Sequence, residues 1–308
     1  MVKTPELDVV TIGEAMLRLA AIDHYRLEQT KYLEVSVGGS EANFAISLAR
    51  LGVRAGWVSK VVDNQWGRRI LGELRWHGID TSRVIITSSG RVGLNFVEKG
   101  SKPRASEVIY DREFSAASGL TPGDIDWDYL ASARHVHLTG ITAALSNSCR
   151  DVVTETVNRA SAAKTTVSFD VNYRQKLWST KDAFETLDSL LPHVTVLITT
   201  YEDAIRVFGL SSDPQTVCQA LKDRYGCPWI VVTLGSEGSI GLADGEFCRV
   251  EGLEVDVVDR VGAGDTFASG CVYGFLEGSL EIGLNLGTRM AAYKHSIVGD
   301  VNFFTLED

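Results

Sequence analysis

Six short runs of apolar and β-branched residues punctuate the chain: DVVTIG (8–13), AGWVSKVV (55–62), RHVHLTG (134–140), TTVSFDVN (165–172), VTVLIT (194–199) and PWIVVTLG (228–235). They are apolar nearly throughout and do not alternate, the pattern of strands buried on both faces of a parallel sheet. Between most of them the apolar spacing becomes helical. In SEANFAISLARLG (40–52), Phe44, Leu48 and Leu51 share one stripe, Ser40 is placed to cap, Glu41 lies in the first turn and Gly52 ends the run. WGRRILGELRWHG (66–78) repeats the plan with Ile70, Leu71, Leu74 and Gly78, as do SCRDVVTETVNRASAA (148–163) and PQTVCQALKDRYG (214–226). The alternation predicts an α/β fold with a mainly parallel central sheet and helices on both faces.

Residues 16–37 and 84–115 break the alternation. They hold the strand-like runs YLEVSV, RVIITS, RVGLNFVEK and SEVIYD with no helix between them. The expectation is one domain spanning 1–308, with a small β-sheet inserted in these two pieces. Beside an α/β crevice such a sheet is a lid that excludes water; two decorative hairpins are the alternative.

Composition narrows the class. Of 308 residues, 44% are hydrophobic and 23% charged, ordinary for a soluble globular protein. A formal net charge of −10 argues against nucleic acid and anionic membrane as partners. An anionic substrate would need locally placed Arg, Lys or backbone N–H groups. The five cysteines are scattered, with no C-x-x-C, which fits a reducing compartment. The N-terminus lacks an apolar signal core and no apolar run reaches ~18 residues, so a cytoplasmic location is expected.

The chemistry concentrates in VDRVGAGDTFASG (258–270), read as an apolar strand end, a glycine turn and a helix. Phe267, Cys271 and Phe275 form the helix stripe, while Gly270, Gly274 and Gly278 permit close packing on another face. A glycine turn entering a helix presents free N–H groups and partial positive charge, a site for phosphate. Asp265 is then either a dipole-favoured first-turn residue or a general base facing a hydroxyl; the spacing leaves both open. No P-loop occurs, since the chain has no Gly-Lys pair, and Phe267 occupies the third glycine position of a dinucleotide fingerprint. Gly38-Gly39-Ser40 makes a second glycine turn, with Asn43 in the following helix. Asn172, Arg174 and Lys176 follow a strand where open α/β sheets bind ligands, and Arg112 falls on the lid. The arginines suit a carboxylate or phosphate, or a surface ion pair. His135 and His137 could share a strand face, but no third metal ligand is apparent.

Together these residues resemble the ribokinase-like, or PfkB, carbohydrate kinases. DRVGAGD is similar to the family's C-terminal signature and Gly38-Gly39-Ser40-Glu41-Ala42-Asn43 to its N-terminal glycine motif. VVTIGEAMLRL, EVIYDRE, SFDVNYRQKLW and KHSIVGD look like its 2-keto-3-deoxygluconate kinase branch. The resemblance runs from about residue 8 to 304. It implies ATP-dependent phosphorylation of the terminal 6-hydroxyl of 2-keto-3-deoxygluconate, with Mg²⁺; a kinase for fructose or ribose is the alternative. Rivals from other classes are a regulatory nucleotide binder without turnover and an NAD-dependent dehydrogenase. The resemblance implies Asp265 as base and the N–H groups of Gly262, Ala263 and Gly264 as anion hole. Gly38, Gly39, Asn43, Asn95, Tyr110, Arg112, Arg174 and Asp300 would meet the sugar acid. Asn172, Thr200, Thr233, Gly235 and Gly238, with Gly262 and Gly264, would border ATP, and Asp203 would reach the metal through water. A homo-oligomer formed through the lid sheet is also implied. Asn95 stands where relatives carry Tyr, Thr200-Tyr201-Glu202-Asp203 where they carry Asn-x-x-Glu, and Arg260 where the wider family carries Thr.

Overall fold

The structure, a computed structural model, describes residues 7–308. With strands numbered along the chain, the central sheet has the order β14 (Glu246–Val250), β13 (Ser239–Ala243), β12 (Trp229–Thr233), β11 (Val196–Thr200), β10 (Thr166–Asp170), β9 (His135–Thr139), β1 (Val9–Ile12), β4 (Ala55–Val58). From β12 to β4 the strands run parallel; β13 and β14 extend one edge antiparallel. Successive side chains face opposite ways. Val10 and Ile12 join Leu138, Phe169 and Val152 in the core on one face, and Val9 joins Phe44, Leu48, Val231 and Phe267 on the other. Each apolar run supplies a strand here, which accounts for its lack of alternation. The β13–β14 hairpin lies outside those runs; its turn is Asp244-Gly245, at φ 51° and 80°, a pair that favours tight hairpins.

The lid sheet has the order β3 (Leu33–Gly38), β2 (Met16–Ala21), β7 (Leu94–Glu98), β8 (Glu107–Asp111). It comes from the two stretches expected, with one correction. RVIITS forms β6 (Ile85–Thr87), which leaves the lid and pairs in parallel with β5 (Lys60–Val62) as a separate two-stranded sheet. Backbone bonds tie β6 to the core: Ile85 N–H donates to Ser59 O and Asp63 N–H to Thr87 O, both at 2.8 Å.

Helices at Ser40–Arg50, Gln65–Trp76, Asn147–Ala163 and Pro214–Tyr225 occupy the helical stretches. Ser40 is not a cap: Gly39 holds that position, and the Ser40 hydroxyl is directed elsewhere. The expected strand end before Gly262 is also absent. Val257 and Val258 are 46% and 49% exposed, and Val258 N–H bonds His295 O at 2.8 Å, at the end of a helix instead of along a strand. The helix Ala263–Leu276 packs on Leu280–His295 at two glycine pairs. A Cβ on Gly270 would strike Gly287, and one on Gly274 would strike Gly283. Gly278 plays no part in this contact; at φ 76° it turns the chain after the helix.

Candidate active site

The turn at 262–264 is shaped from behind by the C-terminal loop. Gly262 sits at φ 81°, and a Cβ there would collide with the carbonyl oxygen of Asp300, so glycine is required on two counts. Gly264 differs: a Cβ there would meet no atom within 4 Å. Packing does not demand glycine at 264, and the space beside it is open. The helix that begins at Ala263 leaves first-turn N–H groups without intrahelical acceptors and adds its dipole.

Asp265 lies buried in that first turn. Ser40 Oγ donates to one carboxylate oxygen at 2.6 Å, and Asn43 Nδ2 to the other at 2.8 Å. Asn172 Nδ2 in turn donates to Ser40 Oγ at 3.1 Å and to Asp170 at 3.3 Å. The second glycine turn and the end of β10 therefore converge on Asp265. Gly39 permits the approach, since a Cβ there would run into the backbone of Glu14 and Ala15.

Four buried carboxyls gather here, all raised above their ordinary values and all chiefly by burial. Asp265 is raised despite its bonds from Ser40 and Asn43 and the charges of Arg174 and Lys294. Burial, then the charges of Asp265 and Asp203, push Asp170 up to about 8. Asp203 is raised while accepting from Tyr173 N–H at 3.2 Å. Glu41 goes to about 7, although the hydroxyls of Thr139 and Thr142 both donate to it at 2.6 Å. Glu41 is therefore a core carboxyl and not a solvated helix-start residue. Arg174, exposed at the rim, acts on Asp170, Asp203 and Asp265, and among the described residues forms no ion pair.

Beyond the neighbouring strand ends, Thr200 and Thr233 sit opposite each other in register on β11 and β12. Thr200 Oγ1 caps the next helix by accepting from Asp203 N–H at 2.9 Å. Gly235 and Gly238, at φ 62° and 98°, bracket the turn after β12; a Cβ on Gly238 would strike Val250 O.

On the lid side, Asn95 of β7 is buried and faces Tyr110 of β8 in register. Arg112 lies 5.9 Å from the Tyr110 ring, but its guanidinium is paired with the buried carboxylate of Glu14. Lys176 does not point freely into the crevice: its ammonium bonds Val108 O of the lid at 3.2 Å. Asp300 lies so close to Gly38 that a Cβ on Gly38 would overlap its carboxylate. It pairs with Arg18 of β2, which also bonds Asp259 at 2.7 Å. His135 and His137 are core residues, their rings bonded to Ser168 and, for His135, Thr166 at 2.7–2.8 Å.

Sequence reasoning missed Ser40 as a partner of Asp265, and it missed Asp170, Arg18 and Asp259. Two of these carry a readable signal: Asp170 is the acid that ends an apolar strand, and Arg18 the lone charge inside MLRLAA.

A family model described as pfkB family carbohydrate kinase matches residues 6–301. The 2-dehydro-3-deoxygalactonokinase of Haloferax volcanii is 35% identical over 98% of this chain and 95% of its own. The 2-dehydro-3-deoxygluconokinase of Bacillus subtilis is 34% identical over 96% of this chain and 92% of its own. The crystal structure of 2-dehydro-3-deoxygluconokinase from Thermotoga maritima superposes with a TM-score of 0.91 at 33% identity, covering 98% of this chain and 96% of that one. The glycine turn, buried acid and covering sheet thus lie within a family match over nearly the whole length, and the chain belongs to the pfkB family of carbohydrate kinases.

Proposed function

We propose that the chain transfers the γ-phosphoryl group of ATP to the terminal, 6-hydroxyl of 2-keto-3-deoxygluconate. The observation that carries this is Asp265, its carboxylate fixed by Ser40 and Asn43 in the first turn of a helix whose approach at Gly264 is open. Asp265 takes the hydroxyl proton as the sugar oxygen bonds to phosphorus and the bond from phosphorus to the β–γ bridging oxygen breaks, releasing ADP. The raised affinity of Asp265 for a proton makes it a better base than an ordinary aspartate. N–H groups of Gly262, Ala263 and Gly264 receive charge on the moving phosphoryl.

Gly38, Gly39, Asn43, Asn95, Tyr110 and Asp300 line the sugar side of this reading. Thr200, Thr233, Gly235, Gly238 and Asn172 border the nucleotide. Arg174, with no carboxylate of its own, meets the acid or phosphate charge; Arg112, held by Glu14, sets the lid edge beside Tyr110. Among the described residues no cluster of three or more His, Cys, Asp or Glu could cage a metal. The donor set instead suits Mg²⁺ brought in with the nucleotide, which Asp203 and Asp170 would help to hold through water. When bound, Mg²⁺ neutralises phosphate charge.

The substrate rests on the 2-dehydro-3-deoxygluconokinases among the relatives. Gluconate and galactonate derivatives differ at C4, so the test is a rate comparison of both 2-keto-3-deoxy acids with fructose and ribose. Faster turnover of a neutral sugar, or of the galacto epimer, overturns the assignment. Asp265→Asn should retain ATP binding and lose at least ~10²-fold in kcat; a variant within a few-fold of wild type removes Asp265 from the mechanism. We also infer self-association through the lid, whose outer strand exposes Ile109 and Tyr110 and is followed by Phe114, 83% exposed. Phe114→Glu should shift the sedimentation coefficient to that of a monomer; a wild-type monomer contradicts this.

A further inference from the structure

One buried charge has no part in the mechanism above. Lys294, in the last turn of the helix Leu280–His295, is 0% exposed. Among the described residues its ammonium lies in no direct ion pair. It donates to two backbone carbonyls, Asp259 O at 3.4 Å and Ile297 O at 3.3 Å. These belong to separate segments. Asp259 leads into the glycine turn, and Val261 N–H bonds its carboxylate at 3.2 Å. Ile297 opens the loop whose Asp300 carbonyl presses on Gly262. Gly299 N–H joins the two again through Asp259 at 3.2 Å.

A lysine in such a place is costly unless its charge is used, since desolvation opposes an ammonium. Burial does push Lys294 below its ordinary value, and Asp259 and Asp300 oppose that. Carbonyl oxygens from two converging loops are also the ligands a small monovalent cation takes from a protein. The charge also favours the ionised form of Asp265.

We propose that Lys294 is a positioning residue for phosphoryl transfer, its ammonium acting as a built-in monovalent cation that joins the 259–262 and 297–300 segments and fixes the glycine turn. The proposal rests on reading that turn as the phosphoryl cradle. Its consequence is that the enzyme needs no external monovalent ion, whereas a chain lacking the ammonium does.

The test measures kcat and both KM values with ammonium or potassium replacing tetramethylammonium at constant ionic strength. Wild type should be indifferent to the exchange. Lys294→Ala should lose roughly 10–10²-fold in kcat, the scale of a small misplacement of reacting groups. Ammonium, small enough for the vacated site, should restore much of that rate with little change in either KM, and tetramethylammonium should not. Several outcomes overturn the proposal: a wild type that speeds up severalfold with ammonium or potassium, a Lys294→Ala enzyme as fast as wild type, or ammonium that raises its Tm without restoring kcat. Lys294→Met keeps the apolar stem, and its folded form turning over at the wild-type rate also overturns it. Should neither variant fold, the wild-type response decides. A fully active Asp265→Asn would sink the reading of the turn itself, a result separate from all of these.

Discussion

Two groups of buried charges flank the glycine turn, and they are built on opposite plans. Arg18, Lys294, Asp259 and Asp300 form one: two cations and two anions, with Arg18 bonded to both carboxylates. Glu41, Asp170, Asp203 and Asp265 form the other: four acids held by hydroxyls, an amide and backbone N–H groups, with no cation bonded to them and the charges of Arg174, Arg206 and Lys294 acting only from a distance. The first group balances its charge internally and fixes geometry. The second is unbalanced, and each of its carboxyls holds its proton more tightly than usual. On the proposed function, a site that is to move a proton and receive a nucleotide gains from the second plan, while the frame around it gains from the first.

The sharpest way to break this contrast is to open the balanced group. Arg18→Met leaves Asp259 and Asp300 buried without their guanidinium. It should cost about 3–5 kcal/mol of stability in urea unfolding, the scale for removing one partner of a buried pair. A loss below ~1 kcal/mol, the range of surface pairs, would show the group to be solvated.

The unbalanced group should respond to pH. Folded Asp170 and Glu41 titrate near 8 and 7, above the unfolded values of 3.8 and 4.5. The folded chain therefore keeps protons that the unfolded chain has already released, and stability falls as pH rises from about 4 to about 8. Asp170→Asn should flatten that fall and raise Tm above pH 8 by roughly 2–4 °C for each kcal/mol recovered, while lowering activity. Parallel Tm–pH curves for variant and wild type would mean that Asp170 keeps its charge without cost.

The smallest effect belongs to the rim. Arg174→Ala should leave stability within ~0.5 kcal/mol and raise KM for the sugar acid roughly tenfold, the scale of one charge-assisted bond, with less change for ATP. Unchanged KM values would leave Arg174 in solvent.

The layered sheet was legible because its signal is local. Phe44, Leu48 and Leu51 announce a helix face by spacing alone, and VTVLIT announces a buried strand by composition. The glycine turn and Asp265 were legible for the same reason. What surrounds them was not. Ser40 and Asp265 are 225 positions apart, and Arg18 and Asp300 are 282 apart. Nothing in the neighbourhood of Ser40 distinguishes a helix cap from a hydroxyl aimed at a distant carboxylate. RVIITS was assigned to the wrong sheet because β propensity identifies a strand and not its partner. Arg112 reads alike on paper whether it awaits a ligand or already holds Glu14.

The contact between Gly262 and the Asp300 carbonyl has a further consequence. The stretch between them returns to the point where it began, its two helices closed on each other at Gly270–Gly287 and Gly274–Gly283 and packed against the central sheet through Phe267, Cys271 and Leu284. It is a cassette whose ends meet, carrying Asp265, the first turn of its helix and Lys294 together. The lid strands come from the opposite end of the chain. On the proposed function, most of the phosphoryl-transfer residues thus lie in one stretch of polypeptide, while the sugar side is divided between the lid and Asp300, which meets Arg18 across the seam.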